Sequence, residues 1–223
     1  MRGEFKGLKA LVLQDNSSAY YVHCFSHQLQ LVVMAIAKNH PGVWKFFEMI
    51  SLVCNVVNGS CKRKDMMRES YKTRVQEALG AGEIESGKGL NQELCLTRAG
   101  DTRWGSHQKS IVSLINLFPD VVKLLYWIWE EGYGPSRSQA HGILEYFQTF
   151  DFVFYLHLML DLLVVTNSLS KSLQKKDQNI LDAALLIEGT KAELQVYRES
   201  GFETLLSKVE SFCDLQDILK KKT

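Results

Sequence analysis

Helical apolar periodicity that proline almost never interrupts is the strongest constraint in this sequence. Proline ends helices by removing a backbone donor, and the chain of 223 residues has only Pro41, Pro119 and Pro135. Leu29, Val32, Val33, Ile36 and Ala37 form one helical stripe, with Ser26 in the position of an N-cap. Ile111, Leu114, Ile115 and Phe118 form a second, followed by Val122, Leu125 and Trp129. The most apolar run, Phe152 to Val165, contains His157 and Asp161 and is shorter than the roughly 20 residues of a membrane span. It reads as a buried core helix. Phe202, Leu205, Leu206, Val209, Phe212 and Cys213 share one side of a last helix, after which the lysine-rich end is expected to fray.

Two regions depart from this pattern. Phe5, Leu8, Leu11 and Val12 predict a short helix over residues 3–14 that stops at Asp15 to Ser18. Residues 19–24 then bring aromatic and β-branched side chains together in a segment too short for a stable helix, which predicts a strand. A lone strand is not stable by itself, so its partners are expected to be missing. Gly80, Gly82, Gly87 and Gly89 among polar residues predict an exposed, mobile loop near residues 80–98.

Composition narrows the function classes. Lys+Arg 26 against Asp+Glu 25 gives a net charge of +1, so no global field draws the chain to nucleic acid. The five scattered cysteines, Cys24, Cys54, Cys61, Cys95 and Cys213, form no disulfide framework and read as reduced thiols of an intracellular protein. The charged start MRGEFKGLKA is not a signal peptide. Neither a P-loop, a GxGxxG, a GxSxG nor an HExxH motif occurs, and the sequence calls for no cofactor, small-molecule substrate or membrane.

Three local features carry chemistry. Cys24 and His27, three apart at a helix start, form a CxxH pair that either supplies two metal ligands or packs as a small hydrophobe and a hydrogen-bonded imidazole. No complete zinc pattern accompanies them, which favours the structural role. In the segment Leu96 to His107, Arg98 and Arg103 suit phosphates and Trp104 suits an unpaired base, or else Asp101 pairs with Arg103 and Trp104 plugs the core. Between Lys62 and Arg74 six basic residues face two acidic ones; Lys64, Arg68 and Lys72 line one helix face while Met67, Tyr71 and Val75 line another. That basic face follows a phosphate backbone or is a solvated surface.

Tyr21 to Leu31 (YVHCFSHQLQL), followed by Thr102 to His107 (TRWGSH) and Thr166 to Gln178 (TNSLSKSLQKKDQ), resembles the hAT superfamily of cut-and-paste DNA transposases, and more narrowly its domesticated relatives similar to MYM-type zinc-finger proteins. The resemblance covers nearly the whole chain. It implies a mainly α fold: a partial ribonuclease-H-like α/β remnant over residues 1–40, with its one strand near 19–24, and an all-helical insertion domain over 41–223. It implies that Arg103 and Trp104 match the pair that contacts the DNA end, and that Cys24 and His27 match the CxxH pair beside the active site. In that family two aspartates and a glutamate bind divalent metal; the segments that carry them match nothing between Met1 and Thr223. The expectation is therefore a catalytically incomplete, nuclear, transposase-derived fragment that retains DNA binding through Trp104, Arg103, Arg98, Lys64, Arg68 and Lys72. The alternatives are a scaffold that associates with a full-length relative or with itself, and a truncated gene copy without selected function.

Overall fold

The computed structural model describes residues 7–20, 24–85, 87, 94–100 and 104–218, and of Trp104 the backbone alone. These residues form ten α-helices: α1 (Leu8–Asp15), α2 (Phe25–Asn39), α3 (Pro41–Asn58), α4 (Cys61–Gly80), α5 (Trp104–Asn116), α6 (Phe118–Glu131), α7 (Pro135–Phe147), α8 (Phe150–Ser172), α9 (Ile180–Ser200) and α10 (Phe202–Leu215). Each proline lies in the first turn of its helix, α3, α6 or α7, where its missing N–H has no intrahelical partner to lose. Thr149 and Asn179 close the first turns of α8 and α9 by accepting from the amides of Phe152 and Asp182.

α8 is the axis of the molecule and packs against α2, α3, α5, α7, α9 and α10. Its Phe152, Val153, Leu156 and Leu163 are buried, as the Phe152 to Val165 run predicts. The helix is long and apolar enough to span a membrane, but here it is the core element the sequence suggests. Phe152 is the hub of an aromatic cluster. Its ring stacks on Phe147 at 4.3 Å and lies 5.9 Å from Phe118, 5.6 Å from Tyr146 and 6.2 Å from Phe46, joining α3, α6 and α7 to α8. Phe212 of α10 completes the cluster through Phe118 at 5.2 Å.

Two aspartates, Asp120 and Asp161, anchor polar ties between helices. The buried carboxylate of Asp120 on α6 accepts from Ser70 Oγ at 2.8 Å and from Arg74 Nε and Nη2 at 3.1 and 2.7 Å, which fixes α4 to α6. Asp161 on α8 accepts from Tyr197 Oη of α9 at 3.0 Å and from Lys208 Nζ of α10 at 2.8 Å. Beside it, His157 packs edge-on against Phe212, and its Nε2 is buried with no hydrogen-bond partner among the described residues.

The mainly α architecture is as expected, while the ribonuclease-H-like remnant with its strand is not seen. Among the described residues there is no strand: Ala19, Tyr20 and Cys24 are irregular, and residues 21–23 lie outside the described residues. A strand persists only with a ladder partner, and every described element here is a helix. Ser26 is not the N-cap of α2. The helix begins at Phe25 after Cys24, and the Ser26 side chain turns inward to other partners. The helix spacing that runs from Ile111 through Phe118 also hides a break, since α5 and α6 meet at Leu117 at an angle of 77°.

Burial pushes the His157 imidazole below its usual 6.5; Asp161 opposes this shift and Lys208 adds to it. The unfolded chain therefore binds the extra proton first on acidification, so this contribution to stability is complete above 6.5 and is lost as pH falls through the lowered folded value. The melting temperature should drop as the pH falls below about 6.5, and His157→Leu should remove part of that drop. An identical pH dependence in the two proteins would count against it.

Candidate nucleic-acid interface

The basic run of α4 divides on folding into structural and exposed cations. Arg63 donates from Nη1 to the carbonyl of Val56 at 2.8 Å, satisfying an orphan acceptor in the last turn of α3. Arg74 is held by Asp120, and Lys62 lies over the Trp127 ring at 4.9 Å. Lys64, Arg68 and Lys72 stay exposed, as their spacing predicts; Arg68 also approaches Asp65 at 3.5 Å. Two turns of helix place Lys64 and Lys72 about 12 Å apart along the axis.

An extended strap, residues 94–100, runs beside this row. The glycine-containing region assigned to a loop ends here in a well-anchored segment. Leu96 is buried, its carbonyl accepts from Asn58 Nδ2 at 3.2 Å, and the Thr97 carbonyl accepts from the Cys54 thiol at 3.5 Å and from Ser110 Oγ. Ser113 Oγ accepts from the Thr97 amide at 3.2 Å. Leu94, Cys95 and Leu96 share a shallow crevice with Lys64 and Arg68. Arg98 is exposed on the strap and close enough to Cys54 to oppose the burial that pushes this thiol up to about 11. A thiol so shifted stays protonated and is no nucleophile at neutral pH.

Further along, Gly100 exchanges hydrogen bonds with Ser106 Oγ, its amide donating at 2.9 Å and its carbonyl accepting at 3.3 Å, which ties the strap to the first turn of α5. The backbone of Trp104 opens α5, and Arg103 lies outside the described residues. Gly105 lets α5 approach α8 closely: a Cβ there would lie 2.7 Å from Asn167 Oδ1, so the Asn167 side chain would have to shift. Asn167 in turn donates to Gln108 Oε1 at 2.6 Å.

The three segments that carry the family resemblance meet at this place. Leu29, Gln30 and Val33 of α2, Gly105 of α5, and Thr166, Asn167 and Ser170 of α8 line one narrow crevice. At its end the hydroxyls of Ser26 and Ser170 share a hydrogen bond of 2.8 Å, although 144 residues separate them. Gln174 Nε2 donates to Ser26 Oγ at 3.2 Å, and to the carbonyl and hydroxyl of Ser170 at 2.9 and 3.1 Å. Cys24 and His27 flank Ser26 and are exposed, so neither is the core residue that the structural reading supposes. No group of three His, Cys, Asp or Glu side chains able to hold a metal ion occurs among the described residues.

The candidate residues thus occupy two separate places: Lys64, Arg68, Lys72 and Arg98 lie on α4 and the strap, while Cys24 and His27 lie at the start of α2, whose Leu29, Gln30 and Val33 line the crevice with Gly105 of α5. Sequence reasoning missed Ser26, Ser170, Gln174, Asn167 and Gln108 as a group, because a serine or an amide in an amphipathic helix gives no local sign of a partner more than fifty residues away. No protein-family model matches the chain, and no solved structure matches it.

The buried seam permits a direct energetic test. Ser170→Ala should cost about 1 kcal/mol, because Ser26 Oγ stays buried with one partner fewer. The double variant Ser26→Ala/Ser170→Ala should cost less than the two single changes together, since no hydroxyl is then left behind. Urea unfolding of the four proteins measures the coupling, and strict additivity would mean that the hydroxyls do not interact.

Proposed function

We propose that this chain is a DNA-binding helical module derived from a hAT-type transposase, with no strand-cleaving activity of its own. One observation carries the reading: the three sequence segments that resemble that family, distant along the chain, converge on one crevice, and the strap that leads into α5 also edges the exposed cationic row of α4. Lys64, Arg68 and Lys72 follow the phosphates, Arg98 and Arg103 add cations that hold phosphates, and Trp104 stacks on an unpaired base. Such binding is electrostatic, local and steeply dependent on salt, as suits a protein whose net charge is only +1.

Fluorescence anisotropy with a labelled DNA duplex and a hairpin tests this. Replacing Lys64, Arg68 and Lys72 by alanine should weaken binding to both and lower the slope of log affinity against log salt by about 2 to 3. Trp104→Ala should cost about 1–3 kcal/mol on the hairpin and much less on the duplex. No binding by the unaltered chain would refute DNA binding, affinities unchanged in both variants would refute this site, and DNA cleavage abolished by a chelator would refute the non-cleaving assignment. The second reading, an interaction scaffold, is favoured by apolar side chains left exposed on α1, α2 and α9.

A further inference from the structure

α9 has two apolar faces, and the folded chain covers one of them. Ala183 and Ile187 pack against Leu169 and Leu173 at the end of α8. On the opposite face Leu181, Leu185 and Val196 are 74, 72 and 60% exposed, and Ala192 is exposed between them. At helical pitch these four side chains fall within about 60° of one another, a stripe about 22 Å long.

The stripe matches itself in reverse. Leu181 and Val196 are equally far from the point between Glu188 and Gly189, and so are Leu185 and Ala192. A second α9 laid antiparallel about a two-fold axis at that point sets Leu181 against Val196 of the copy and Leu185 against Ala192 of the copy. An isologous contact demands such self-complementarity. Gly189 lies beside the axis. A glycine inside a 21-residue helix weakens it relative to alanine, and neither backbone conformation nor a close neighbour requires this one: its φ is not positive, and a Cβ there would meet no heavy atom within 4 Å, although Gly189 and Leu185 also edge a groove between α9 and the end of α8. A close crossing of two helices does account for it. Charge agrees on one flank, where Glu188 and Lys191 pair at 3.0 Å within a copy and come within reach of the opposite sign in the other. On the other flank Asp182 and Glu193, about 70° and 90° from the middle of the stripe and exposed, carry like charge and oppose the contact there.

We propose that α9 is the surface through which two copies of this chain associate, antiparallel, about a two-fold axis beside Gly189. The proposal stands apart from the DNA reading. A single helix crossing buries less than a standard interface of roughly 1,600 Å², so the dimer is weak and dependent on concentration.

Sedimentation equilibrium of the full chain up to roughly 100 μM, a range suited to a small interface, tests it. The wild-type chain should pass from monomer to dimer. Leu185→Glu sets a charge in the stripe and should raise the dissociation constant at least about tenfold. Gly189→Leu fills open space in the single chain, so it should raise the melting temperature while weakening the dimer, a combination that a general folding defect does not produce. A chain that stays monomeric throughout leaves the stripe to some other occupant and overturns the proposal. A dimer that survives either substitution places the contact elsewhere and overturns it too.

Discussion

The fold depends on the burial of Phe152. Its ring touches aromatic side chains from α3, α6 and α7, so one residue of α8 holds three other helices in register. Truncation of such a side chain costs about 3–5 kcal/mol, much of the roughly 5–15 kcal/mol by which a domain is stable. The polar ties at Asp120 and Asp161 then fix how α4, α9 and α10 sit on that core. Their energies are smaller, but hydrogen-bond geometry sets direction, which apolar contact does not.

The parts of the fold legible in the sequence are those decided by short-range pattern. The apolar density of residues 152–165 marks α8 as the core, the spacing from Leu205 to Cys213 marks α10, and a scarcity of proline leaves the helices uninterrupted. The bend at Leu117 was hidden because apolar periodicity passes through it, although Pro119, in the first turn of α6, is the local sign that a helix starts there. The role of Ser26 was not legible, since its residue type and position suit a cap, while its partners lie on α8. A strand over 19–24 rested on local composition, and composition alone supplies no neighbouring strand.

The candidate interface shows the same division in one helix. Spacing alone puts Lys64, Arg68 and Lys72 on a common face, and the fold leaves that face open. It does not tell that Arg74 belongs to a carboxylate 46 residues away or Arg63 to a carbonyl of the preceding helix. A charge run is therefore an inventory of cations, some of which the core claims before any ligand does. The strap adds its own cation in a similar way: buried Leu96 and the bonds to Thr97 hold Arg98 in place from behind.

The seam between Ser26, Ser170 and Gln174 also sets an order of events during synthesis. The ribosome delivers the chain from its amino end at about 5–20 residues per second, and the hydroxyl of Ser26 waits for a partner 144 residues downstream. Until the second half of α8 has emerged, the Ser26 end of α2 lacks its hydrogen-bond partners, and α2 rests mainly on α3. The nascent protein thus passes through a stage in which its earliest long helix is half-docked, and a holding factor or a slow codon would act with most effect before residue 174 leaves the exit tunnel.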